Sequence, residues 1–181
     1  MHSQKLYLTV LEKVYQLSNA FERMNPLEFS ILLSCLSQGI IQNQSPEINN
    51  SVRSRIAQML LVDQEREVMR VGAINFRHPF ERMYSSLINM EGDFTQEKDK
   101  ITQLLSQNLD KCDFDHSSFF LWCLVMDDRH DHALEIYTKH LLGKGEEVMK
   151  QYQKVKLNPI RTFYHALYLL KALHGDALTP E

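Results

Sequence analysis

Glycine and proline are scarce in this chain, six and five residues among 181. So few turn-formers cannot supply the many tight connections of an all-β sandwich, whereas long helices need few. Cysteine is also sparse. Cys35, Cys112 and Cys123 are odd in number and lack a CxxC spacing, so they imply no disulfide framework and fit a reducing, cytoplasmic compartment. No long hydrophobic run exists either. The longest, Phe119 to Met126, is far shorter than the roughly 20 apolar residues that cross a bilayer. The N-terminal stretch is broken by Glu12 and Lys13 and lacks the apolar segment of a signal peptide, which predicts a protein that is not exported by the Sec route. An excess of one charge is missing as well. The formal charge of −3 provides no global field to gather nucleic acid or anionic lipid, so such a role needs a local patch.

What is present is helical periodicity. Leu6, Val10, Val14, Leu17 and Phe21 mark a first helix over Ser3 to Met24. Asn25-Pro26 with Glu28 reads as a capping box opening a second, Leu27 to Ile41, whose apolar residues on every side suggest a central helix. Gln42 to Pro46 forms a loop, and Ile48, Val52, Ile56, Met59 and Leu60 define a third helix ending between Val68 and Gly72. His78-Pro79 starts a helix through Met90, which Gly92-Asp93 separates from one carrying Ile101, Leu104, Leu105 and Leu109. These two are expected to form an antiparallel pair. Asp115 is the expected N-cap of Ser117 to Met126, and the polar Asp127–Asp131 turn leads to a helix bearing Leu134, Ile136, Tyr137, Leu141 and Leu142. A buried strand over Phe119 to Met126 has no evident partner, so helix is the preferred reading. Gly143-Lys144-Gly145 breaks the chain before a helix over Glu146 to Leu157 and a last one from Asn158-Pro159 through Leu173.

The expectation is therefore an all-α, irregular bundle of about nine helices forming a single domain over 1–181. Trp122 and its neighbours, with Leu33, Leu36 and Leu169 or Leu170, are its expected core, and Cys35 and Cys123 are small core hydrophobes. Ala133 and Tyr137 resemble the spacing in a tetratricopeptide second helix. Leu121 stands where that unit has glycine, however, and no 34-residue period follows, which favours a bundle over a solenoid.

Two constellations could carry chemistry. Asp128 and His132 stand one helical turn apart, with His116 or Asp113 in reach across a hairpin, and could ligate a divalent metal for hydrolysis by a bound water. His130-Asp131 is similar to the central pair of the HD phosphohydrolases, a likeness of two residues. The competing reading gives Asp115, Asp127 and Asp131 to helix ends and leaves the histidines solvated, with no metal and no cofactor. Cys112 and His116 would make a thiol nucleophile only with an orienting third group, and none is identifiable.

The charge distribution is more informative. Asp110 to Glu135 holds seven acidic and two basic residues, a local −5, while Lys139 to His174 holds seven basic and two acidic, a local +5. Lys150, Lys154, Lys156 and Arg161 would form a basic docking surface for an acidic protein, or in a further alternative for nucleic acid. On the first helix, Leu8 and Tyr15 are seven residues apart and lie outside the main apolar stripe, which makes them candidate contacts for a partner or a second copy. The leading functional expectation is a non-enzymatic helical protein–protein interaction module, an adaptor or regulatory subunit. A metal-dependent hydrolase built on the Asp/His cluster 113–132 is the alternative.

Overall fold

The computed structural model describes residues 20–38, 46–62, 79–109, 112, 114–142 and 158–174. The fold is all-α. Eight α-helices and one π-helical turn account for the regular structure among the described residues, against about nine helices expected, and no strand occurs among them. They are α1 (Ala20–Arg23), α2 (Pro26–Ser37), α3 (Pro46–Val62), α4 (Pro79–Ile88), α5 (Thr95–Asn108), α6 (Phe114–Met126), α7 (His130–Ile136), the π-turn Tyr137–Leu141, and α8 (Asn158–His174). Most of the expected first helix, the end of the third and the helix over 146–157 lie outside the described residues. The chain divides into two compact units, Met1–Leu104 and Leu105–Glu181, with the division inside α5.

In the first unit, α2 begins as the sequence dictates. The Asn25 Oδ1 accepts from the Glu28 amide at 2.9 Å while Glu28 Oε2 accepts from the Asn25 amide at 3.0 Å, so both halves of the capping box form around Pro26 at the helix start. Helix α2 packs most extensively on α4. Small side chains line that contact. Ser30 and Ser86 are buried, Ser34 and Ser86 hydroxyls meet at 3.2 Å, and each also finds a backbone carbonyl one turn back, so polar atoms are buried without loss. The expected pairing of α4 with α5 is not the principal one, because the serine-lined face of α4 matches α2.

The α4–α5 connection is tied to α3 by polar contacts. Asn49 donates from Nδ2 to the Glu91 carbonyl at 2.9 Å, and Arg53 donates to the Asp93 carbonyl at 2.8 Å while lying 5.0 Å over the Phe94 ring. Gly92 sits between them at φ +122°, and a Cβ there would come 2.8 Å from Asn49 Nδ2. Only glycine fits. Arg55 reaches from α3 to the Met24 carbonyl and satisfies the end of α1. Phe29, Leu33, Val52, Ile56, Met59, Phe80, Met83, Tyr84 and Phe94 fill the core of this unit.

Two expectations for α2 need correction. It is not apolar-buried all round, since Leu27, Ile31 and Cys35 are exposed at successive turns. Cys35 is thus not a core residue, because its register faces away from the α4 contact. Leu33 and Leu36 are buried as expected.

In the second unit, α6 packs against α7, its π-turn and α8. The α6–α7 hairpin is the one expected, and the 119–126 run is helix rather than strand. Helix α6 starts at Phe114, so Asp115 occupies its first turn and is not the N-cap, a position that still favours a carboxylate at the positive end of the helix. Phe119, Phe120, Leu121, Cys123, Leu124 and Val125 are buried, but Trp122 is half-buried and Met126 exposed. A 13-residue helix with partners on some sides only leaves one edge to water, which corrects the expectation of a fully enclosed run. Trp122 stacks on Phe119 at 5.6 Å.

Phe163 of α8 joins the elements of this unit. Its ring lies 5.0 Å from Phe114, 6.3 Å from Tyr137 and 5.8 Å from Tyr164. The π-turn closes with a hydrogen bond from the Leu142 amide to the Tyr137 carbonyl at 2.8 Å, which holds Tyr137 in the aromatic cluster, and burial pushes its hydroxyl pKa up.

Candidate interaction face

Helix α8 is amphipathic, and its register defines the site. At about 100° per residue, Phe163, Ala166 and Leu170 share one side, and all three are buried. The opposite side presents Tyr164, His165, Tyr168, Lys171 and Ala172, all exposed, with Tyr168 at 72% and Tyr164 at 56%. The whole segment 158–174 contains no aspartate or glutamate. The surface is aromatic and basic, a composition that suits contact with a partner more than solvation, since large exposed rings are enriched in interfaces.

The expected site residues fall as follows. Leu8, Tyr15, Lys150, Lys154 and Lys156 lie outside the described residues. Arg161 belongs to α8. Sequence reading did not single out Tyr164 and Tyr168. The signal that could have found them is the placement of both rings on the side opposite Phe163, Ala166 and Leu170 in an acid-free segment.

The Asp/His constellation has a different local logic. Asp127, Asp128 and Arg129 terminate α6 in a Schellman arrangement, with the Arg129 amide donating to the Leu124 carbonyl at 2.9 Å and the Asp128 amide to the Val125 carbonyl at 3.2 Å. Asp128 takes the left-handed position, φ 56°, normally given to glycine. Its carboxylate is 95% exposed and 3.6 Å from His130 Nε2. Asp127 accepts from Arg129 Nε at 2.8 Å, which clamps the turn, and Arg129, the N-cap residue of α7, makes no side-chain cap. His132 and Asp131 are exposed on α7, and His116 is half-buried on α6. Among the described residues, no group of three or more His, Cys, Asp or Glu is gathered so as to hold a metal ion. Cys112 lies before the start of α6, its thiol directed to the Asn108 carbonyl at 3.5 Å, so it does not share a helical turn with His116.

Carboxylates nevertheless concentrate here. Asp131 and Glu135 are exposed one turn apart on α7, with Asp128 just ahead of them. Lys139 binds Glu135 at 2.5 Å and, by hydrogen bond and charge, holds that carboxyl below its ordinary pKa. In the other unit, the exposed apolar line Leu27, Ile31 and Cys35 carries no accompanying charge pattern. No helix among the described residues is long and apolar enough to cross a membrane. No family model, curated protein or solved structure matches this chain.

Proposed function

We propose that this protein is a non-enzymatic helical interaction module, an adaptor or regulatory subunit acting in the cytoplasm, and that the outward face of α8 is a contact surface. The observation that carries the reading is the pair of exposed rings Tyr164 and Tyr168 one turn apart, with Lys171 one turn further, on a helix whose other side is anchored by Phe163. Rigid rings on an anchored helix offer contact area at small entropic cost, which is how tyrosine comes to serve as an interface anchor. Three cysteines without a CxxC spacing fit a reducing location.

The test is affinity capture from the native cytosol with the full chain and a Tyr164→Ser/Tyr168→Ser variant. Since both side chains are exposed, the double variant should keep its unfolding midpoint yet lose specific partners. Equal recovery by both proteins, or a collapse of stability in the variant, would reject this face as the contact surface. The hydrolase alternative is separated by elemental analysis of untagged protein, for which we expect no stoichiometric zinc, manganese or iron.

A further inference from the structure

Two exposed surfaces of the 105–181 unit carry opposite charge. On α8, Lys171, Tyr164, Tyr168, Ala172 and His165 fall within a sector of about 120° that contains no acid. On the α6–α7 hairpin, Asp128, Asp131 and Glu135 form an exposed acidic line, with His130 3.6 Å from Asp128 and Lys139 bound to Glu135. One folded unit therefore presents both halves of a complementary contact. Under a two-fold axis each copy would offer its α8 face to the other's acidic line, and the contact would occur twice.

Resting on the reading of the α8 face as a docking surface, we propose that its occupant is the acidic line Asp128–Asp131–Glu135 of a second copy of this chain. Charge sets the orientation of the two copies, and the Tyr164 and Tyr168 rings supply the apolar area that ion pairs alone lack. Helix α8 has 17 residues and is about 25 Å long, so two such contacts bury on the order of 1,000 Å² in total, at the low end for specific interfaces. The dimer is accordingly weak, concentration-dependent and salt-sensitive. Its ion pairs are exposed at the rim, within reach of screening by a Debye length of about 8 Å at physiological ionic strength.

Sedimentation equilibrium of the full chain tests this with a charge swap. The wild type should dimerise at low salt, with dissociation promoted by about 0.5 M salt. Lys171→Glu and Asp131→Lys should each raise the dimer dissociation constant by about tenfold or more, since each places like charges together at both symmetric contacts. Mixed in equal amounts, the two variants should form a heterodimer, because the reversed α8 of one then meets the reversed acidic line of the other. Circular dichroism should find both variants as helical as the wild type. A chain that stays monomeric at all concentrations, or a dimer indifferent to both reversals, overturns the proposal. So does a monomer whose Lys171-dependent binding is to polyglutamate or a single-stranded oligonucleotide, which would assign the face to a different partner. If self-association fails while Tyr164→Ser/Tyr168→Ser still abolishes partner capture, the docking surface stands and only its occupant is wrong. If that capture is also unchanged, both readings fall.

Discussion

Gly92→Ala should destabilise the first unit by about 2–3 kcal/mol, and the figure follows from two separate costs. The backbone at φ +122° lies where a residue with a Cβ is strained, which costs on the order of 1–3 kcal/mol. The added methyl would also stand 2.8 Å from Asn49 Nδ2 and 3.4 Å from the Phe94 ring. Asn49 is buried and donates to the Glu91 carbonyl at 2.9 Å, so it can yield only by losing a bond worth about 1 kcal/mol. Against these stands the smaller entropy of the unfolded alanine chain, an offset of about 0.4–1 kcal/mol. Urea unfolding followed by circular dichroism gives the net change. Repeating the substitution in an Asn49→Ala background separates the terms, because the clash disappears while the dihedral strain remains. A loss below about 0.5 kcal/mol in the wild-type background would refute the reasoning, since it would mean that the connection relaxes freely and does not pin α3 to the start of α5.

The remaining predictions concern the turn, the core and acid sensitivity. Asp128→Gly should stabilise by about 0.5–1 kcal/mol, because glycine takes the left-handed position at the end of α6 without a Cβ penalty, and a rise in the unfolding midpoint checks it. Phe120→Ala should cost about 3–5 kcal/mol and Trp122→Ala clearly less, since Phe120 is fully buried and Trp122 only half so; equal losses in urea unfolding would contradict the core assignment. Hydrogen bonds from Thr95 hold the Asp93 carboxyl below its usual value of 3.8, so its contribution is present above that pH and is lost as the pH falls through the lowered folded value. Asp93→Ala should accordingly flatten the acid limb of the stability curve, and an unchanged slope below about pH 4 would deny the carboxylate that role.

The local chemistry of this chain was readable wherever one residue type admits one conformation. Asn25-Pro26 with Glu28 specifies the start of α2 because each side chain satisfies an amide that the helix leaves open, and no distant residue is needed. Periodicity and the Asn158-Pro159 start likewise place α8. What could not be read depends on which helix covers which face. Cys35 and Ile31 look like core in sequence and are exposed because α4 packs on the opposite side of α2, where serines permit a close approach. Spacing lets Asp128 and His132 be a ligand pair or a helix-end carboxylate with a solvated histidine, and the left-handed backbone of Asp128 is invisible to it. Tyr164 and Tyr168 were legible as helical but not as exposed, since tyrosine serves core and surface alike.

The central claim, that the outward face of α8 meets a protein partner, is tested most directly by site-specific photocrosslinking. A photoreactive benzoyl-phenylalanine replaces Tyr168, and in a control chain it replaces the exposed Gln103 of α5. Irradiation in cell extract should give a discrete protein adduct from position 168 that is absent from position 103 and is suppressed by excess unlabelled wild-type chain. No adduct at 168, or the same diffuse products from both positions, would contradict the assignment of this face to protein recognition.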